Sequence, residues 1–481
     1  MVAISGQDRQ LFTRADWLGG YQSLHKEYSY WLEQIVGRIP LELEGTLFRN
    51  GPGKLDVGGE PYGHPFDGDG MVCRLSLVEG RAHFANSFVK TPEFLREQQA
   101  GKILYRGVFG TQKAGGWWAN AFDLRRKNVA NTNVIYHGGK LLALWEADRP
   151  YRLDPRTLAT IGIEDFGGEL PAGAVFTAHP RRDPDTGDVW AFGVSPSLRS
   201  LITIYRLGTN GQLETISSKK VAGFCFLHDF AWAENYAIFL QNPVQFNPVP
   251  FLLGWQTAGA CLELRPNTPS QFLIFAPDGN LQVLDTDPCF VFHHANGFFH
   301  HGQLIVDAVT YADYPKLEPN LDFRDVNFDK VIPGKLCRFL IDLATGRVTR
   351  SPIFDRSCEF PCLNPNYVGK AYRYLYLGAV APEIPPTSNG PLQAIVKVDV
   401  TTGNYLMHSF APRGFIGEPV FIPRGTEEDD GWLITFVFNG ERRATDIVIL
   451  SAQDLSTCAV LPLPHHVPYG LHGNFVRELF L

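Results

Sequence analysis

One pattern constrains this chain more than any other: a short apolar strand, a turn bearing Asp or Gly, and a second strand, repeated seven times. It appears as LSLVEGRAHF near residue 78, YRLDPRTLA near 154, IYRLGTNGQL near 208, IFAPDGNLQV near 278, FLIDLATGRV near 344, VKVDVTTGNY near 401 and ILSAQDLSTCAVL near 454. Tight hairpins need residues that tolerate unusual backbone angles, which these turns supply. The units lie about 50 to 75 residues apart. That exceeds the roughly 40 to 50 of repeat-propeller blades and leaves room for loops elaborated on one face. The pattern predicts an all-β chain, a seven-bladed β-propeller with loops and short helices capping one face. A pair of β-sandwiches would give a similar pattern. The 481 residues include 47 Gly, 34 Pro and 35 Phe, which fits many turns around an aromatic interior. We expect one propeller domain over residues 1–481. Helical periodicity is confined to DWLGGYQSLHKEYSYWLEQIVG, read as part of an N-terminal helical extension over 1–40, and to TPEFLREQQAGKI.

Charge narrows the partners. A formal charge of −7 with no long Lys/Arg cluster leaves no electrostatic footprint for nucleic acid. No run of 18 apolar residues suggests a membrane span. The opening MVAISGQDRQ lacks a basic segment followed by an apolar core, so no signal peptide is expected. The eight cysteines are scattered, with only Cys358 and Cys362 close together as CEFPC; they read as small buried hydrophobes of a cytoplasmic protein.

Fourteen histidines are present, and most need no function. His25 falls in the expected helix, His64 precedes a proline, and His83, His137 and His408 lie in hairpin-like contexts; all five read as solvated or satisfied. In VFHHANGFFHHGQLIVD, strand alternation sends His293 and His294 to opposite faces, so at most one of them can reach a given metal. His300 and His301 precede a hairpin glycine and read as exposed. Four others share a different setting: VFTAHP (His179), GFCFLHDF (His228), FVFHH (His293) and YGLHGNF (His472). Each follows an apolar run in a different repeat. A buried histidine is commonly a satisfied core residue, but a propeller lets separate blades each aim one imidazole at the axis. Four neutral imidazoles would suit iron, copper or zinc.

Metal-bound histidine usually donates its other ring N–H to a carboxylate. Three glutamates sit in apolar strands where an unpaired charge is costly: Glu146 in LLALWEA, Glu359 in SCEFPC and Glu418 in FIGEPVFI. The alternative for each is an ion pair with an arginine such as Arg413. GTEEDDG (425–431) reads as a solvated loop.

A family resemblance spans nearly the whole chain. LEGTLFRNGPG, HPFDGDGMV, ANTNVIYH, LLALWE, FTAHP, HDFAWAENYAIF, FHHANGF, CEFP, GEPVFIP and VPYGLHGNF occur in order. Together they resemble the carotenoid cleavage oxygenases, nearest to the cyanobacterial branch that acts on apocarotenoids. The resemblance implies a seven-bladed propeller carrying Fe(II) on its axis, held by His179, His228, His293 and His472. It makes Glu146, Glu359 and Glu418 the carboxylates that orient three of those ligands. Thr132, in ANTNV, matches a residue beside the vacant coordination position. Phe299 stands where the family commonly has an acidic residue, and we expect a changed loop there. The implied reaction is scission of a conjugated C=C bond of a hydrophobic apocarotenoid (a β-apocarotenal or apocarotenol) by O₂, giving retinal-type aldehydes. A stilbene-cleaving oxygenase and a non-catalytic carotenoid-binding propeller are the rival readings.

Residues 242–262, NPVQFNPVPFLLGWQTAGACL, are apolar, Pro-rich and free of Lys, Arg, Asp and Glu. Either this is a buried strand and cap, or it is a patch for peripheral membrane contact near the tunnel mouth. The second reading predicts that Phe251→Asp with Leu252→Asp releases the protein from vesicles.

Overall fold

A computed structural model describes residues 12–315, 322–386 and 389–481. Seven sheets of four or more strands follow one another along the chain. The first blade is Asn133–His137, Lys140–Leu144, Tyr151–Leu153 and Thr160–Ile163. The second runs from Arg181–Arg182 to Leu213–Ala222, the third from Ala231–Ala233 to Leu281–Thr286, and the fourth from Phe290–His300 to Val348–Phe354. The fifth runs from Cys358–Cys362 to Tyr405–Ser409, and the sixth from Gly414–Ile416 to Thr457–Pro462.

The seventh blade closes the ring. Its innermost strand, Gly473–Val476, comes from the C-terminus and pairs antiparallel with Gly45–Arg49, so that Thr46 faces Val476 and Arg49 faces Gly473. Asp69–Val78 and Arg81–Phe88 follow outward in the same sheet. Joining the two ends of the chain in one sheet removes the edge that an open array would leave.

All seven predicted hairpins form the outer turns of the seven blades. Glu79 and Gly80 take positive φ (51° and 71°) between Asp69–Val78 and Arg81–Phe88, as such turns require. Strand burial follows position. The middle strand Gly431–Asn439 is buried along nearly its whole length, whereas the outer strand Leu213–Ala222 is largely exposed. Faces of neighbouring blades pack against one another, as where Phe192, Phe230 and Phe239 of adjacent blades meet. Burial of each such side chain is worth about 1.5–3 kcal/mol. None of the eight cysteines is in a disulfide, and six are buried.

Three expectations need correction. The N-terminal extension is helical only over Arg14–Gly19, capped by Thr13. Tyr28–Trp31 is instead an edge strand on the seventh blade, and Val36–Gly37 adds to the sixth, so His25 lies outside any helix. The pattern YSYW fits either period, and pairing with Arg81–Phe88 decides it. Phe299 lies in a strand, Phe290–His300, and not in a loop, and its ring packs 5.0 Å from that of Tyr236. Finally, 425–431 is a loop but not a merely solvated one. Glu428 accepts the main-chain N–H groups of Arg373 and Tyr374, while Asp429 pairs with Lys397 at 2.6 Å.

Candidate metal centre

Every blade brings one of the singled-out residues to the axis, at or just before its innermost strand. Thr132 precedes Asn133–His137, His179 precedes Arg181–Arg182, and His228 precedes Ala231–Ala233. His293 and Glu359 lie near the starts of the fourth and fifth innermost strands; Glu418 interrupts the sixth, and His472 precedes the seventh. Glu146 comes from the end of Lys140–Leu144 in the first blade.

This convergence gathers the four histidines. Each offers one ring nitrogen, and these atoms all lie within 4.8 Å of one another. Nε2 of His179 and Nε2 of His228 are 2.9 Å apart. The other ring nitrogens are occupied by the glutamates: Glu359 lies 2.6 Å from His293 Nδ1, Glu418 2.8 Å from His472 Nδ1, and Glu146 3.2 Å from His228 Nδ1. A carboxylate at Nδ1 fixes the tautomer with the proton there and leaves Nε2 a bare lone pair. His293 Nε2 is buried without a hydrogen-bond partner, a costly state unless something binds it. None of the three glutamates pairs with an arginine side chain among the described residues; Arg413 pairs with Asp16 at 2.7 Å.

Electrostatics separate the four rings. Burial, followed by the like charge of His228, His472 and His293, pushes His179 well below the ordinary imidazole range. Burial also lowers His472. Burial pulls His293 down too, but Glu359, with Asp229 and Glu418 behind it, more than offsets this and the net shift is upward. Glu359 and Glu146 are held below the usual carboxylate range by their histidines against the cost of burial. The arrangement can hold a divalent cation with four nitrogen donors, its charge partly balanced by carboxylates one layer out.

The histidines border a cavity of about 560 Å³, into which His228, His293 and His472 face together with Thr132. Phe66, Phe109, Trp145, Phe292 and Tyr314 supply aromatic wall. Thr132 donates its hydroxyl to Asn131 Oδ1 at 3.2 Å and lies 3.4 Å from Glu146 Oε2. His294 points elsewhere, toward Asp229, and His300 and His301 are exposed. His137 is satisfied by the carbonyls of Leu207 and Gly208.

Sequence reasoning missed several contributors. Tyr311 donates to Glu359 Oε1 at 2.7 Å and lines the cavity. His64, expected to be merely satisfied, also lines it, and burial pushes it down to about 4. Trp17 and Tyr21 of the supposed helical extension form part of the wall. Only the HP dipeptide at His64 gave any local signal.

Residues 242–262 fold over one end of the cavity as a short strand, the helix Pro248–Leu252 and a 3₁₀ turn. Trp255, Gln256 and Thr257 line the cavity. Phe251 is half-buried, its ring 4.3 Å from the Arg106 guanidinium. Val249 and Trp255 are exposed, as are Trp117, Trp118, Phe122 and Leu124 on the adjoining segment. Phe122 N–H bonds the Leu252 carbonyl at 2.8 Å, joining the two segments.

Four imidazoles on the axis beside an aromatic-walled cavity are suited to holding a metal ion next to an apolar ligand. A family model described as retinal pigment epithelial membrane protein matches residues 21–477, and the chain belongs to the carotenoid cleavage oxygenase family. It is 46% identical to the apocarotenoid-15,15'-oxygenase of Synechocystis, over 98% of each chain. It is 30% identical to a carotenoid cleavage oxygenase of Mycobacterium tuberculosis, over 92% of this chain and 93% of that one. The crystal structure of the cobalt-substituted Synechocystis apocarotenoid oxygenase superposes with a TM-score of 0.95, covering 98% of this chain and 100% of that one at 46% identity.

Proposed function

We propose that this chain is a non-haem iron dioxygenase that cleaves one conjugated C=C bond of an apocarotenoid with O₂, giving a retinal-type aldehyde and a second carbonyl product. The observation that carries this is the set of four ring nitrogens with three carboxylate-fixed tautomers at the wall of an apolar cavity. His179, His228, His293 and His472 would hold Fe(II), which supplies the chemistry by which O₂ is brought to react with the double bond. The chain's own residues do the rest. Glu146, Glu359 and Glu418 hold three rings in register, and Tyr311 holds Glu359. Thr132, with its hydroxyl engaged by Asn131 and Glu146, lines the cavity together with His228 and His472. The aromatic walls exclude water and confine a rigid polyene so that one bond stands over the centre.

Such a substrate partitions into lipid. The exposed cluster of Trp117, Trp118, Phe122, Leu124, Val249 and Trp255 beside the cavity is the surface we propose for peripheral membrane contact. That surface favours an apocarotenoid over a phenolic stilbene, which needs no extraction from a bilayer. Among the described residues no helix is long and apolar enough to cross a membrane.

The test is to incubate iron-loaded protein with a β-apocarotenal in detergent micelles and follow products by chromatography. Retinal with a complementary carbonyl fragment, formed only with both iron and O₂, is the expected result. Bound but unchanged substrate in the iron-loaded protein would overturn the substrate assignment.

A further inference from the structure

Carboxylates brace three of the four imidazoles, but no described carboxylate hydrogen-bonds the ring of His179. Its main-chain N–H donates to Thr177 Oγ1 at 2.9 Å, and its other support lies two residues on. Arg181 Nη2 donates to Asp229 Oδ2 at 2.6 Å and to the His294 carbonyl at 2.7 Å, while its Nε donates to the Phe230 carbonyl at 3.0 Å. Asp229 Oδ2 also accepts the main-chain N–H of His294 at 2.7 Å. Asp229 follows His228 and His294 follows His293. One ionic knot therefore joins the chain next to His179, His228 and His293, across three blades.

Arg49 occupies the remaining side. Its Nη1 donates to the Glu418 carbonyl at 2.8 Å and its Nη2 to the Leu471 carbonyl at 3.3 Å. Leu471 precedes His472, and Glu418 is the carboxylate on that ring. Glycines make the space: a Cβ on Gly417 would collide with Arg49 Nη2, and one on Gly470 would stand 2.7 Å from its Nε. Asp229, His294 and Arg49 are each 2% exposed. Buried ion pairs contribute little net stability, because desolvation offsets their attraction and apolar replacements of similar volume often serve as well. Arg181 with Asp229 is such a pair, whereas Arg49 directs its buried charge at two main-chain carbonyls and leaves its Nε without a partner, so stability alone gives little reason for either arginine to stand directly behind one site.

We propose that Arg181 and Arg49 are positioning residues that set the spacing of the four imidazoles through the main chain, with Arg181 and Asp229 giving His179 the fixity that carboxylates give the other three. This rests on reading the histidines as a metal centre. Cobalt(II) is the probe, since its d–d absorption reports ligand geometry without any turnover. The full chain, stripped of metal, is titrated with cobalt(II) against a competing chelator, and the thermal unfolding of the metal-free protein is recorded alongside. Arg181→Met and Arg49→Met should each weaken cobalt binding roughly 10- to 100-fold, the range for outer partners of metal ligands, and shift the visible bands. Arg181→Lys, which keeps the charge but not the fork of donors, should recover only part of the affinity. Unaltered affinity and bands in Arg181→Met, or in Arg181→Lys if the former does not fold, would overturn the proposal, even if the metal-free protein melts lower. If the unsubstituted chain takes up no cobalt, or His228→Ala binds it equally well, the metal-centre reading itself fails.

Discussion

At the residue scale, the three glutamates differ in how firmly they hold their histidines. Glu359 approaches His293 to 2.6 Å and accepts from Tyr311 as well, whereas Glu146 stands 3.2 Å from His228. Charge-assisted bonds strengthen as they shorten. Glu359→Gln should therefore lower iron affinity about 10- to 100-fold, and more than Glu146→Gln does, in a chelator competition; equal losses would contradict this ranking. Tyr311→Phe should fall between Glu359→Gln and the unsubstituted chain. The histidines and glutamates were legible because each is a polar residue at the end of an apolar run, an expensive place for one without a purpose. Tyr311, Arg181 and Arg49 were not. Tyrosine closing an apolar strand is ordinary, and an arginine's partners depend on which main-chain carbonyls the blades bring near it.

Among the elements, the segment 113–125 links site to surface. It carries Trp117, Trp118 and Phe122, and Asp123 ties it down through Lys113 at 2.5 Å and Arg125 at 2.7 Å. Hydrogen bonds from Arg125, then from Lys113, hold the Asp123 carboxyl well below its usual range against the cost of burial. A carboxyl lowered by folding stabilises fully above its unfolded value of about 3.9 and loses that contribution as the pH falls toward the folded value. Asp123→Asn should thus raise hydrogen exchange across 113–125 at pH 7, with the difference fading below about pH 4. Trp118→Asp with Phe122→Asp should release the protein from vesicles in sedimentation while leaving its melting temperature within a few degrees. Phe251→Asp, expected from sequence to do the same, is the poorer choice because that ring packs beneath Arg106. The seven hairpins were readable because Asp and Gly turns are local signals. The edge strand Tyr28–Trp31 was not, since it is defined by pairing Tyr28 with Asn86, far along the chain.

For the molecule as a whole, the ring is what turns scattered residues into a centre. Histidines up to 293 positions apart (472 − 179) meet because each innermost strand begins beside the axis, and the C-terminal strand both carries His472 and closes the circle. Closure and metal site are therefore coupled. Phe48, fully buried in the closing blade against Phe480, should on replacement by Ala cost about 3–5 kcal/mol. The expected readout is a lower melting temperature that recovers in part when iron is added, since a ligand bound only by the folded state stabilises it. The most direct test of the central claim is X-ray absorption at the iron edge of the loaded protein. The expected result is one iron per chain with four imidazole nitrogens and no protein carboxylate or sulfur in its nearest shell. A shell containing carboxylate or sulfur from the protein, or fewer than four imidazoles, would contradict it.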